Sequence, residues 1–425
     1  MESVLAMILA GGRGSRMEVL CETRPKPLLP FAGRYRVIDF TLSNCAHSEL
    51  KDIAILTDYR RSAMAEYIAA WFMRNGDLGN VSILEPRSNT YSGTADAFYQ
   101  NMSCIKNSIH DLVLVLAGDH IYKMDYREMI DFHSMKGADV TVGAVRVPIE
   151  EAHRFGIVTV DSNSRIVDFV EKPRHPSGNL VSMGIYIFNK KVLMERLMQD
   201  AASPESPHDF GHAVIPRMIT TDRAFAFEFT GYWRDIGTPK AYYEANMELL
   251  LPRPSLSLSG TWPVLGKLPN SPQLENGPHG SLVENSLISS GCSIKGRVVN
   301  SILSPGVKVE EKAEVINSII MADCSVDYHS FVSESILDED VSVDKFCYLG
   351  FTASEVPNGW PVTLLGRGVR VPPYTAVCGN CTIITYAGRQ GFPRKILAPD
   401  SRLSPAISGT ILESGRSEYL ANMGI

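Results

Sequence analysis

Long apolar runs are missing from this chain. No stretch reaches the ~18–20 uninterrupted apolar residues of a membrane-spanning helix, so no helical membrane span is expected. An excess of positive charge is missing too: 41 Lys and Arg stand against 47 Asp and Glu, a net charge of −6. That balance gives no footprint for nucleic acid or an anionic membrane, and any polyanionic substrate must be held by local cations. The opening MESVLAMILAGG has Glu2, no basic n-region and no small-residue cleavage site. It does not read as a secretory leader, and the cytosol is the expected location. Cysteine is sparse, 8 in 425 residues and mostly scattered, so reduced thiols are expected rather than a disulfide framework. Cys378 and Cys381 have CxxC spacing, but no second CxxC or HxxxH completes a zinc site. They read as two ordinary thiols near a turn.

Short β-branched or apolar runs punctuate the first 250 residues, at Leu5–Ala10, Ile53–Thr57, Val81–Leu84, Leu112–Ala117, Val140–Val147, Ile157–Val160 and Ile185–Phe188. Helical patterns fall between several of them, at Thr41–Ser48, Ser62–Arg74, Thr94–Asn107 and Tyr126–Met135. Strands alternating with helices predict an α/β domain, a Rossmann-like, mostly parallel sheet with helices on both faces. Residues 251–280 are rich in Pro, Gly and Ser without periodicity and read as a linker. Beyond them four segments align: Val283–Ile288, Val298–Leu303, Val315–Ile320 and Val332–Leu337, with starts 15, 17 and 17 residues apart. Apolar residues recur every five or six positions, at Val309, Val315, Ile320, Val326, Val332, Leu337 and Val343. That period fits a hexapeptide β-helix over 281–385, one inward residue per short strand. An ordinary antiparallel domain would not give four copies in phase. Residues 386–425 follow neither pattern and read as a tail.

The first strand runs into Gly11-Gly12-Arg13-Gly14-Ser15-Arg16. Glycines let backbone N–H groups approach phosphates closely. The loop lacks both the GK[ST] ending of a P-loop and the third glycine of a dinucleotide fingerprint. By itself it is a commonplace turn. Arg16 within it, and Arg24 and Lys26 in the proline-stiffened segment just after, supply three cations suited to a triphosphate. The apolar strand Leu112–Ala117 ends in Gly118-Asp119-His120. Ligands of open α/β sheets sit at such carboxyl ends, where Asp119 is placed to hold Mg²⁺ against phosphates; its ordinary alternative is a helix cap. Asp235, in Gly231–Thr238, is a second carboxylate of that kind. Lys172, in Glu171-Lys172-Pro173, can offer its charge to a sugar phosphate. Small residues in Tyr91–Ala97 permit close approach of a base or sugar, or simply tight helix packing.

In order along the chain stand MILAGGRGSR, RPKPLLPFAGRYRVIDFTLSNC, YSGTADA, VLAGDHIYKMDY, FGIVTVD, FVEKP, SMGIYIF, HDFG, GYWRDIGT and AYYEAN. With the β-helix they make the chain resemble the bacterial glucose-1-phosphate adenylyltransferases (ADP-glucose pyrophosphorylases), from about residue 4 to about 345. The glycine loop marks only the wider sugar nucleotidyltransferase superfamily; YRVIDFTLSNC, AGDHIYKMDY and GYWRDIGT are narrower. The resemblance implies transfer of an adenylyl group from ATP to glucose 1-phosphate, a left-handed β-helix and a homotetramer. It places Gly11, Gly12, Gly14, Arg16 and Gly93 on the nucleotide and Lys26 beside the leaving pyrophosphate, with Arg16, Lys26 and Asp119 as the catalytic set. Asp119 and Asp235 would bind Mg²⁺, and Tyr91, Gly156, Glu171, Lys172 and Ser182 would hold glucose 1-phosphate. It also implies control by an anionic metabolite where the N-terminal basic segment meets the β-helix. Four positions depart from the family pattern: Asp58 and Glu85-Pro86-Arg87 near the base, Pro25 for Ala, and Arg34 for an activator-linked Lys. Three other readings stay open: a transferase using UTP, CTP or dTTP; a non-catalytic regulatory subunit; and a hexapeptide acyltransferase, for which 281–350 offers only His329.

Overall fold

The computed structural model describes residues 3–76, 79–266, 273–275, 282–351, 360–384, 396–397 and 402–403. Nine strands form the main sheet: β1 (Val4–Leu9), β2 (Asp52–Leu56), β3 (Asn80–Leu84), β4 (Leu112–Ala117), β5 (Val140–Arg146), β6 (Gly156–Val160), β7 (Ile166–Glu171), β8 (Leu180–Asn189) and β9 (Ala224–Phe229). The spatial order is β7-β6-β8-β4-β1-β2-β3, with β5 also on β8 and β9 on β5. The β3-β2-β1-β4 half is parallel throughout. β8 is antiparallel to β4, β5 and β6, and β7 to β6, so only β7 and β8 run against the rest.

β1 and β4 are continuous apolar runs because both of their faces are covered. Val4, Ala6, Ile8, Leu112, Leu114 and Leu116 enter one core with Ile38, Leu42, Ile68 and Trp71. Those partners come from α1 (Val37–His47) and α2 (Arg61–Asn75). Leu5, Met7, Val113 and Val115 enter the other, with Phe98 and with Leu193 and Leu197 of helix Lys190–Ala201. The helix expected over Thr94–Asn107 is broken at Asn101 into α3 (Thr94–Gln100) and α4 (Met102–Asn107). There the Asn101 side chain bonds the carbonyl of Ala97 and the Tyr91 hydroxyl. α5 (Tyr126–Lys136) starts on an Asp125 cap and stops at Gly137 in the left-handed region.

The repeat builds three parallel sheets of short strands. Val283, Val298, Val315, Val332 and Leu349 pair successively, and most of the axis is filled by one inward apolar residue per strand. The Asn-Ser of the repeat now has a reason. Asn285, Asn300 and Asn317 turn the corner at φ 40°, 47° and 48°, a region Asn tolerates better than most residues. Their amides form a ladder of 3.0 and 2.7 Å. The serines after them stack as well: the N–H of Ser301, Ser318 and Ser335 each donates to the hydroxyl one rung back.

Two expectations need correction. The stretch at 251–280 lacks periodicity but is not a loose tether in its described part. Leu256 and Val264 are buried. Trp262 Nε1 donates to Asn44 Oδ1 (3.0 Å), His47 meets the carbonyl of Pro263 (2.8 Å), and the Leu265 N–H donates to Ser43 (2.8 Å), strapping the segment across α1. Gln273–Glu275 then pairs antiparallel with Ser286–Ile288. Past 385, Ile396–Leu397 and Arg402–Leu403 pair in parallel with β-helix strands, so the tail adds rungs; residues 404–425 lie outside the described ones. Cys378 and Cys381 are buried thiols in the β-helix, and no cluster of three metal-ligating residues occurs among the described residues. No helix there is long and apolar enough to cross a membrane.

Candidate active site

The carboxyl ends of β1, β2 and β4 lie side by side. The Ala10 N–H donates to Leu56 O (2.9 Å) and the Gly118 N–H to Leu9 O (3.0 Å), so the glycine loop leaves β1 between the other two strands. Gly14 sits at φ +67°, where a Cβ would stand 3.0 Å from Lys26 Cβ and 3.1 Å from Cys21 Sγ. This one glycine lets the loop fold over the Lys26 segment. A Cβ on Gly12 would meet nothing within 4 Å, leaving that backbone open to a ligand.

A short antiparallel pair, His120–Tyr122 with Trp233–Asp235, places His120 opposite Asp235 and thereby brings Asp119 beside Asp235. Lys26, only 5% exposed, reaches between them: Nζ lies 3.0 Å from Asp119 Oδ2 and 3.1 Å from Asp235 Oδ1. Arg154 Nη2 approaches the other Asp235 oxygen at 3.3 Å, and His120 Nε2 lies 3.7 and 3.9 Å from the two carboxylates. Burial pushes both carboxyls up, but Lys26 and His120 outweigh it. Asp119 is held below the usual carboxylate range and Asp235 falls to about 2. Burial pushes Lys26 down, and the two carboxylates raise it by more. Lys26 and the two carboxylates are thus ionised at neutral pH. Asp119, with 37% of its side chain exposed, keeps oxygen surface toward the cavity. Two hard carboxylate donors next to a phosphate loop fit a small divalent cation whose remaining ligands are phosphate oxygens and water.

On the far wall, β8 carries a bulge between Ser182 and Ile185, with Gly184 at φ +68°. The bulge leaves Ser182 on the cavity wall, its hydroxyl accepting from Gly184 N–H (3.2 Å). Glu171, at the end of β7, lies in a slot made by two glycines. A Cβ on Gly156 or Gly211 would stand 2.6 or 2.7 Å from its Oε2. Lys172 pairs with Glu171 at 2.9 Å from a left-handed backbone, φ +45°, unusual for a lysine and the kind of strain that collects at functional sites. Tyr91 also lines the cavity, its hydroxyl accepting from the Asn101 amide (3.0 Å).

All thirteen residues expected at the site, Gly11, Gly12, Gly14, Arg16, Lys26, Tyr91, Gly93, Asp119, Gly156, Glu171, Lys172, Ser182 and Asp235, line one cavity of about 610 Å³. Gly93 also has a packing reason, since a Cβ there would stand 2.3 Å from His208 O. One cation departs from the expected set. Arg24 does not join Arg16 and Lys26 on the cavity; its side chain turns away to Asp338 and Glu339 of the β-helix. Of the departures near the base, Asp58 lines the cavity, its carboxylate taken by the Thr90 hydroxyl. Arg87 points elsewhere, to Ser103 (2.7 Å). Sequence reasoning missed Arg154, Asp209, Gly211 and Gly237, all on the cavity wall. Gly237 had a signal, lying two residues after Asp235: a Cβ there would stand 2.9 Å from Asp235 and 3.2 Å from Arg16. Arg154 had none.

A glycine loop at the sheet's carboxyl edge, a lysine between two carboxylates and a separate polar slot across one cavity are the arrangement of a nucleotidyltransferase. The comparisons agree. Residues 5–251 match the nucleotidyl transferase family model, and residues 273–371 match the GlmU-like C-terminal hexapeptide model. The chain is 46% identical over 323 residues to the glucose-1-phosphate adenylyltransferase of Pseudothermotoga lettingae, covering 74% of this chain and 76% of that one. It is 45% identical over 320 residues to the enzyme of that name from Thermotoga maritima (73% and 75% covered) and 43% over 318 residues to that from Clostridium novyi (72% and 83%). The chain belongs to the glucose-1-phosphate adenylyltransferase family.

Proposed function

We propose that this chain transfers the adenylyl group of ATP to glucose 1-phosphate, giving ADP-glucose and pyrophosphate, the activated-glucose step of glycogen synthesis. The observation that carries the reading is the Lys26 ammonium held 3.0 and 3.1 Å from Asp119 and Asp235 beneath the glycine loop, with the Glu171–Lys172 slot across the same cavity. A phosphate oxygen of the sugar attacks the α-phosphorus in line, forming one P–O bond as the bond to the β-phosphate oxygen breaks. No covalent enzyme intermediate is required; positioning and charge neutralisation are enough. The glycine loop Gly11–Gly14, with its backbone open at Gly12, and the Arg16 guanidinium receive the triphosphate, with Gly93 beside the nucleotide. Lys26 neutralises the departing pyrophosphate. Tyr91, Gly156, Glu171, Lys172 and Ser182 hold the sugar phosphate. Asp119 and Asp235 would hold Mg²⁺, which supplies further charge neutralisation at the phosphates.

The test is release of pyrophosphate from glucose 1-phosphate with ATP, UTP, CTP and dTTP in turn. Preference for ATP is the expected result. Equal or better turnover of another triphosphate would refute the adenylyl assignment, and no release with any would favour a regulatory subunit.

The same reading assigns residues 1–250 to catalysis, 251–280 to a connecting segment and the β-helix from 281, with rungs continuing to Arg402–Leu403, to assembly and regulation, in a cytoplasmic homotetramer. An anionic metabolite is its effector, with Arg34 among the ligands. Arg34 stacks over Tyr35 at 4.8 Å beside Gly33, where a Cβ would stand 2.6 Å from Ser289 Oγ of the β-helix, so it lies at the junction of the two units and off the cavity. Arginine's planar fork suits a phosphate. Arg34→Ala should leave unactivated kcat and both KM values within about twofold while raising the activator concentration needed roughly tenfold, about 1.4 kcal/mol. Unchanged activation, or collapse of basal turnover, would remove Arg34 from the effector site.

A further inference from the structure

Arg24 is 5% exposed and stands between the 3₁₀ turns Ser15–Cys21 and Lys26–Leu28. Its Nη2 donates to Asp338 Oδ1, and its Nη1 lies 3.5 Å from Glu339 Oε1. Glu339 also meets Arg36 Nη2 at 2.8 Å and Arg367 Nη1 at 3.5 Å. Arg36 turns its other nitrogen back, Nη1 donating to Leu28 O at 3.0 Å. The turn that carries Lys26 is therefore bracketed: Arg24 before it is tied to Asp338 and Glu339, and the Leu28 carbonyl after it is tied through Arg36 to Glu339. Pro25 and Pro27 fix φ on either side of Lys26, so the turn moves as one stiff piece with Arg24.

As a source of stability the arrangement is poor. Asp338 is fully buried, and among the described residues neither Arg24 Nε nor Asp338 Oδ2 has a hydrogen-bond partner. Buried ion pairs of this kind are often no better for stability than apolar residues of the same volume. Apolar packing is available at this junction, where Met17, Leu20 and Phe31 share a core with Ile319, Met321 and Ile336. What the ion pairs add and apolar contacts cannot is direction: they fix where the Lys26 turn sits over Asp119 and Asp235.

We propose that Asp338 and Glu339 of the β-helix are positioning residues for Lys26, acting through Arg24 and Arg36. The inference rests on the reading of Lys26 as the cation serving the triphosphate. It makes the β-helix a working part of the nucleotide site, because the junction reaches the reacting phosphates through one stiff turn.

The test uses the full chain with Glu339→Gln and Asp338→Asn, which keep shape and remove charge. Three things are measured: unactivated kinetics against each substrate, the melting temperature, and the rate at which an amine-reactive reagent labels Lys26, followed by peptide mass spectrometry without substrates or metal. Expected for Glu339→Gln is a fall of about tenfold or more in kcat/KM for ATP, with KM for glucose 1-phosphate within about twofold. Labelling of Lys26 should quicken about fivefold or more, with the melting temperature within a few degrees. Asp338→Asn should show the same pattern, and if it fails to fold Glu339→Gln alone decides. Losses shared equally by both substrates and tracking the melting temperature would overturn the proposal, as would unchanged ATP kinetics and labelling. If Lys26→Met proves harmless, the reading of Lys26 falls and takes this proposal with it. If Lys26→Met is crippling while both carboxylate variants keep ATP kinetics within about twofold, only the positioning role falls.

Discussion

Asp119→Asn should lower turnover by about a hundredfold or more, a loss of about 3 kcal/mol from the transition state, and leave the fold intact. Asparagine keeps the shape of the side chain and still offers Lys26 an oxygen at the 3.0 Å contact. What it loses is the charge that a divalent cation requires. Asp235 cannot make up for it, since its two oxygens already face Lys26 and Arg154. The measurement is kcat across a Mg²⁺ titration, with the melting temperature as the control for folding. The Mg²⁺ needed for half-maximal rate should also rise. Near-normal turnover with an unchanged Mg²⁺ requirement would sink the assignment of Asp119 as a metal ligand. A normal maximal rate reached only at higher Mg²⁺ would reduce it to an aid to metal binding.

How much of this site was legible in the sequence depended on how local each signal was. The strands β1 and β4 announce themselves as unbroken apolar runs because helices cover both of their faces. The loops that follow them inherit their place at the sheet's carboxyl edge. The β-helix was legible because successive rungs repeat one solution, an asparagine at the left-handed corner in three of the four aligned segments and Glu334 in the other, followed by a serine whose hydroxyl, in the first three, accepts from the next rung. β8 was seen only in its second half, since Gly184 and the bulge at Ser182 break the pattern that a strand should show. β9 was not seen at all. The strap after residue 250 reads as a linker by composition. Its order comes from Asn44, His47 and Ser43, some 220 positions back in the chain. Arg24 shows the limit most clearly. Two residues from Lys26 and beside a glycine loop, it had every local reason to face a triphosphate. A carboxylate 314 positions away turns it elsewhere. Local pattern identifies a cation, but only the fold shows which charge it answers.

Lys26→Met should be the more severe of the two losses: about a thousandfold in kcat, about 4 kcal/mol, with the fold retained. Methionine nearly matches the length of the lysine stem and fills the slot beneath Gly14, where Lys26 Cβ would lie 3.0 Å from a Cβ at that position. Only the ammonium disappears. In the resting site that ammonium spends its charge on Asp119 and Asp235. Those are the same carboxylates that a divalent cation would use, so Lys26 and the cation compete. Two opposite effects follow. Without Lys26 the paired carboxylates lose the cation that bridges them, with Arg154 left on Asp235 alone, and a divalent cation becomes the counter-charge that can serve both. Metal binding to the substrate-free protein, measured by calorimetry at neutral pH, should therefore tighten, by about tenfold. Turnover should collapse all the same, because the charge that develops on the departing pyrophosphate has lost the preorganised donor that stabilises it, the kind of loss that commonly reaches two to three orders of magnitude. Tighter metal with lost catalysis separates this role from a structural one, which would weaken both. If metal affinity falls with turnover, Lys26 builds the carboxylate pair rather than serving the leaving group. If turnover survives, the leaving pyrophosphate is neutralised elsewhere, and Arg16 becomes the next residue to replace.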